Sequence, residues 1–130
     1  MIVLDASAAI ELLLGTDRGI LVASRIAPES ETLHAPHLLD LEVAQVLRRY
    51  EASGHATADR CKKALIDLSD LDIARYPHDV LMGRVWALRK NMTAYDAVYV
   101  ALAEALRATL LTCDRRLAAA PMPRIDVEVV

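Results

Sequence analysis

Met1-Ile2-Val3-Leu4-Asp5-Ala6-Ser7-Ala8-Ala9-Ile10-Glu11 is the stretch that decides the fold. Four apolar residues run without alternation into an aspartate, and a small polar residue two positions later starts a segment with helical character. An apolar strand with no polar face is what a parallel sheet covered on both sides requires. In open sheets of that kind ligands gather beyond the carboxyl ends of the strands, where Asp5 stands. Any site is then made of Asp5 and of whatever the chain brings to the same edge.

A chain of 130 residues suffices for one domain with a real core. Its apolar fraction is 55%, with no Phe and one Trp, against roughly 45 to 50% in ordinary domains. Ala, Leu and Val must fill the core, so extensive helix is expected, with apolar surface left over for a partner. No apolar run approaches the roughly 18 residues of a membrane span. The first residues lack the charged region and cleavage site of a signal peptide, and a cytoplasmic location is expected. Cys61 and Cys113 lie far apart and form no Cys-x-x-Cys, and the four histidines make no His-Glu-x-x-His. Neither a disulfide framework nor soft-metal chemistry is expected. The net charge of −3 and pI near 5.8 argue against binding nucleic acid through bulk positive charge. The local basic groups, Arg48-Arg49, Arg60 with Lys62-Lys63, Arg89-Lys90 and Arg115-Arg116, read as solvated helix faces.

Along the chain, Ser7 to Leu14 reads as a helix ended by Gly15, with Ser7 as its default cap. Thr16 or Asp17 caps a second helix reaching about Ala27. Thr32 to Ala35 is a strand closed by Pro36, and His37 to Ala52 is a helix with Glu42 at the border of its apolar face. Thr57 or Asp59 begins a helix to about Leu68, Asp72 to Tyr76 is a strand, and His78 to Lys90 is amphipathic and helical. Thr93-Ala-Tyr-Asp96 introduces Ala97 to Leu106, apolar on nearly every side and therefore buried. Thr109 to Cys113 is a fourth strand, Arg115 to Ala119 a helical turn, and Asp126 to Val130 an edge strand. This order predicts an α/β fold: a mainly parallel sheet of four to five strands, with right-handed crossovers and helices on both faces, spanning residues 1–130 as one domain.

Asp5 and Asp114 each follow an apolar strand directly, Asp96 stands near the start of the most apolar helix, and Glu42 can lean over the same edge. Four carboxylates in one cleft repel one another unless a divalent cation with oxygen ligands, Mg²⁺ or Mn²⁺, joins them. Carboxylates holding such ions are also what hydrolysis of a phosphodiester needs. Each acid has a plainer reading, because aspartate caps helices well and favours their first turn. Thr93-x-x-Asp96 resembles a capping box, and Asp114 before Arg115-Arg116 can be a cap alone. Asp40 is the rival to Glu42 and reads as solvated. Thr112 points to the same side of the pleat as Asp114. Tyr95, Tyr99 and Trp86 fit core or interface better than stacking platforms for bases.

The segments Ile2-Val3-Leu4-Asp5-Ala6-Ser7-Ala8, Glu42-Val-Ala-Gln-Val-Leu-Arg-Arg49, Thr93-Ala-Tyr-Asp96-Ala-Val-Tyr-Val-Ala-Leu-Ala103 and Leu111-Thr-Cys-Asp114-Arg-Arg-Leu117, in this order and at this length, resemble a PIN-domain ribonuclease, specifically a VapC-type toxin of a toxin–antitoxin pair. The resemblance covers essentially the whole chain; Gln45, where asparagine is commoner, is a small departure. It implies a Mg²⁺-dependent endoribonuclease, with Mn²⁺ as an alternative ion. By the same resemblance Asp5, Glu42, Asp96 and Asp114 are the catalytic acids, Asp5 and Asp96 the direct metal ligands, and Ser7 and Thr112 supporting residues. It further implies an RNA substrate, a VapB-type antitoxin and a homodimer.

Two other classes compete. A phosphotransfer protein uses a strand-end aspartate, but here Ala6-Ser7 follows Asp5 instead of a second acid at Asp-x-Asp spacing. A catalytically inert PIN-like binding or autoregulatory module has no need of four intact carboxylates.

Overall fold

Ile2, Val3 and Leu4 are all 0% exposed, although neighbouring residues on a strand point to opposite faces. The sheet they belong to is therefore covered on both sides. The computed structural model describes residues 1–121 and 125–130. These form strands β1 (Ile2–Leu4), β2 (Leu33–Pro36), β3 (Ile73–Tyr76), β4 (Thr109–Thr112) and β5 (Val127–Val129). The helices are α1 (Ala6–Leu14), α2 (Asp17–Ile26), α3 (Leu38–Ala52), α4 (Ala58–Asp70), α5 (Met82–Ala87), α6 (Ala94–Leu106) and α7 (Arg115–Ala119). The strand order is β3-β2-β1-β4-β5 and every pairing is parallel, so the mainly parallel sheet expected from the sequence is entirely so. Two helical layers cover it: α1 to α4 pack on one another, α5 and α6 on one another, and both sets touch the sheet.

Helix α1 begins at Ala6 and not at Ser7, because Asp5 is its cap and accepts from the Ala8 N–H at 2.9 Å. The reading of Ser7 as a cap is therefore wrong; its hydroxyl is used elsewhere. Gly15 ends α1 at φ 64°, a left-handed turn that suits glycine. The chain folds straight back as α2, capped by Thr16. At Gly19 the two helices approach so closely that an added Cβ falls 2.0 Å from the Glu11 carbonyl oxygen.

The helix expected over His78 to Lys90 is shorter. A 3₁₀ turn over Asp79–Leu81 leads into the six residues of α5, and tighter bonds such as Asn91 N–H to Leu88 carbonyl follow. Only Leu81, Val85 and Leu88 are buried there, while Val80, Met82 and Trp86 face outward. That seam is too narrow to anchor a longer helix, since helices in proteins owe most of their stability to packing of an apolar face.

Helix α6 matches its sequence: every residue from Ala97 to Ala103 is buried. The strand Asp126 to Val130 is the edge strand β5, tied to α2 by Arg25, whose guanidinium donates to both oxygens of Glu128.

Candidate active site

Parallel pairing sets the floor of the site. Leu4 lies level with Leu111, and the Asp5 N–H donates to the Leu111 carbonyl at 3.2 Å. Asp5, which follows β1, and Thr112, which ends β4, thus stand side by side. Asp5 is 5% exposed and Thr112 0%. The Asp5 carboxylate accepts from the Thr112 hydroxyl at 2.6 Å on one oxygen. On the other it accepts from the Ser7 hydroxyl at 2.7 Å and the Ala8 N–H at 2.9 Å.

Both hydroxyls are used twice. Ser7 Oγ accepts from the Cys113 N–H at 2.8 Å, and Thr112 Oγ1 from the Asp114 N–H at 2.9 Å. A hydroxyl has one proton to give, so with both protons on Asp5 the 3.2 Å approach of Ser7 to Thr112 is a contact and not a further bond. Ser7 and Thr112 therefore clamp Asp5 and also pin the backbone that leads to Asp114.

The other acids arrive from three further elements and border the same open cleft, of about 1340 Å³. Asp96 sits in the first turn of α6, with its N–H on the Thr93 hydroxyl at 3.1 Å. Asp114 caps α7 and accepts from the Arg116 N–H at 2.8 Å and, more loosely, from its guanidinium at 3.3 Å. Glu42 projects from α3 and accepts from the Tyr99 hydroxyl at 2.8 Å. The four sequence-expected acids thus face one space. Asp40 is elsewhere: Arg75 grips it through two bonds of 2.8 and 2.9 Å, so it is paired and not simply solvated.

Burial raises the carboxyl pKa of Asp5 above the usual range, even against three hydrogen bonds that lower it, and the Asp114 charge adds to the rise. Glu42 is raised by burial, with the charges of Asp5 and Asp96 adding and the Tyr99 bond opposing. Burial also raises Asp96, opposed by Thr93 and reinforced by Asp114. Asp114 differs: burial pushes it up, but its bonds to Arg116 outweigh that and hold it below the usual value. The acids are close enough to feel one another, and three of the four resist ionisation in the metal-free protein.

Among the described residues no three His, Cys, Asp or Glu side chains converge into a ready-made metal cage. Mg²⁺ does not need one, because it keeps several waters and takes one or two carboxylates. The donors at this edge are carboxylate and hydroxyl oxygens, which suits a hard divalent ion. Burial pushes the Cys113 thiol up, away from the thiolate a soft metal takes.

Sequence reasoning missed four contributors. Arg18 lines the cleft and reaches the Cys113 carbonyl at 3.4 Å. Arg49 and Arg116, read as solvated helix faces, also border it. Tyr99 is buried at 2% exposure as a core residue should be, yet its hydroxyl serves Glu42. Its spacing of three from Asp96, which puts both on one helix face, was the available signal.

The PIN domain family model matches residues 2–122. Ribonuclease VapC9 of Mycobacterium tuberculosis is 42% identical over 132 residues, covering 100% of this chain and 98% of that protein. Ribonuclease VapC1 of the same organism is 43% identical over 129 residues, covering 98% and 96%. Among solved structures, VapBC2 from Rickettsia felis, bound to a DNA fragment from its promoter, superposes with a TM-score of 0.72 at 17% identity, covering 100% of this chain and 99% of that one; this shows likeness of fold alone.

Proposed function

The chain belongs to the PIN-domain family, and on that footing we propose the reaction of its cleft: it is an endoribonuclease of the VapC kind, hydrolysing RNA phosphodiester bonds with a divalent metal ion held by carboxylates. The observation that carries this reading is the buried Asp5 at the end of β1, with three more carboxylates from three other elements around the same cleft.

In this reading Asp5 and Asp96 hold the ion, Mg²⁺ by preference with Mn²⁺ as a substitute, and Glu42 and Asp114 complete the site. The chemistry the ion supplies when bound is Lewis acidity, which activates water and neutralises charge developing on the phosphate and the leaving oxygen. Ser7 and Thr112 fix the Asp5 carboxylate so that it need not reorganise as that charge develops. Arg18, Arg49 and Arg116 offer guanidinium groups to the phosphates on either side of the scissile bond.

Residues 1–130 act as one domain in the cytoplasm. A VapB-type antitoxin and a homodimer are part of the same proposal. The exposed apolar side chains Leu41, Val80, Met82 and Trp86 give such partners area to cover.

The test is cleavage of a mixed cellular RNA pool with Mg²⁺, with Mn²⁺ and with EDTA, beside Asp5→Asn and Asp96→Asn. Cleavage that needs both the ion and the carboxylates supports the reading, and mapped ends name the target. A mutant that cleaves at the native rate refutes the carboxylate assignment. Failure of the wild type both to cleave RNA and to bind either ion in calorimetry favours the inert binding module.

A further inference from the structure

Glu42 is the one acid of the four that lies beyond the first turn of its helix, and its aim must be fixed by something other than the helix end. Its Oε2 accepts from the Tyr99 hydroxyl at 2.8 Å, the one hydrogen bond joining α3 to α6 among the described residues. No other donor from the described residues reaches the Glu42 carboxylate. Tyr99 is 2% exposed within the wholly buried stretch Ala97 to Ala103 of α6, so its ring cannot swing away. Its hydroxyl has no second acceptor among the described residues.

From this geometry we propose that Tyr99 is a positioning residue for the reaction: its buried hydroxyl holds one oxygen of Glu42 and so presents the other to the cleft. The inference rests on the nuclease reading above and adds a residue to it. The physical argument is one of freedom. A glutamate has three side-chain torsions to fix, and on α3 nothing else fixes them. Asp5, with a shorter side chain and three donors, needs no such help. Tyr99 lies one turn beyond Asp96 on α6, so a single buried helix supplies one acid directly and aims a second by reaching across. Burial, the nearby charge of Glu42 and the bond itself all push the phenol far above its ordinary range. It therefore stays a donor throughout the working range of pH.

Tyr99→Phe removes the hydroxyl and keeps the ring. It should retain the native circular dichroism while losing roughly ten- to a hundredfold in Mn²⁺ affinity or in kcat, as removal of partners behind metal ligands commonly does, with KM for a mixed-sequence single-stranded RNA within about twofold. Metal affinity is measured by calorimetry with Mn²⁺ alone and so needs no substrate. Glu42→Ala and the double variant complete a cycle. If Tyr99 acts through Glu42, adding Tyr99→Phe to Glu42→Ala changes neither Mn²⁺ affinity nor kcat further. A Tyr99→Phe protein with lowered Tm but native Mn²⁺ affinity and kcat overturns the proposal and leaves a structural role. So does full additivity in the double variant. A wild type that neither binds Mn²⁺ nor cleaves RNA overturns the nuclease reading first, and the positioning role with it.

Discussion

Asp5 combines two demands that usually exclude each other: it caps α1, and it stands among three other acids with its own carboxyl buried. The cap reading of this aspartate is realised in the geometry, and it leaves room for the proposed site role, because the N–H of Ala8 takes only part of one oxygen. Thr112 is the residue on which this depends, donating to Asp5 and accepting from Asp114 N–H at 0% exposure. Thr112→Val keeps the shape, strands both partners and should cost about 2 to 4 kcal/mol by chemical denaturation. The raised carboxyls have a consequence for pH in the metal-free protein. Asp5, Glu42 and Asp96 keep protons in the folded state that the unfolded chain has already released. Between the ordinary carboxylate range and their raised values the native state binds more protons than the unfolded state, so stability falls as pH rises. Asp114 has the opposite sign, and its contribution is lost only as pH falls through its lowered value. In EDTA, then, Tm should be higher at mildly acidic than at neutral pH, Asp5→Asn should flatten that slope, and Mn²⁺ at neutral pH should raise Tm. A Tm in EDTA that climbs steadily toward neutrality refutes the buried-carboxylate account.

Helices and strands were legible where the apolar pattern was long or the turn chemistry strong. The run Ile2 to Leu4 and the buried α6 follow from local chemistry, and the caps were narrowed to Thr16 or Asp17 and to Thr57 or Asp59, of which the threonines serve. The segment after His78 was not legible, because its apolar residues divide between a buried seam and an exposed face, and amphipathic spacing alone does not tell which side will be covered. The resemblance named Ser7 a supporting residue, but its bonds were hidden for a similar reason: the Cys113 N–H reaches it only once β1 and β4 pair. Gly19 was silent too, since nothing in the sequence says that α2 will lie against the Glu11 carbonyl. A Cβ there meets backbone at 2.0 and 2.7 Å, and backbone cannot rotate aside as a side chain can. Gly19→Ala should cost about 3 kcal/mol, the upper end for overpacking, in equilibrium unfolding. Gly15→Ala, where nothing lies within 4 Å but φ is 64°, should cost only about 1 kcal/mol. Equal costs at the two positions would mean that the α1–α2 approach is looser than this geometry.

At the scale of the whole molecule an acidic protein must hold a polyanion. The net charge of −3 gives no long-range attraction, and five of the acids, Asp5, Glu11, Glu42, Asp96 and Asp114, line the cleft itself. What opposes that charge is local: Arg18, Arg49 and Arg116 line the cleft, each from a different helix. Sequence showed the basic pairs but not that they converge, because convergence depends on how α2, α3 and α7 are placed around one sheet edge. Arg116 already shares its charge with Asp114, and Arg18 leans on the Cys113 carbonyl, whereas Arg49 has no ion pair among the described residues. Binding that neutralises three phosphates releases few counterions. The plot of log affinity against log salt for single-stranded RNA should therefore have a shallow slope of roughly −2, measured by fluorescence anisotropy on the Asp5→Asn protein, which the proposed function expects not to cleave. Arg49→Ala should reduce that slope by about 0.7, one contact's worth on a single strand, and weaken RNAs of unrelated sequence alike, since a phosphate contact carries no base information. A slope far steeper than this would place RNA on a wider basic surface than the cleft, and an unchanged slope in Arg49→Ala would remove that arginine from the phosphate path.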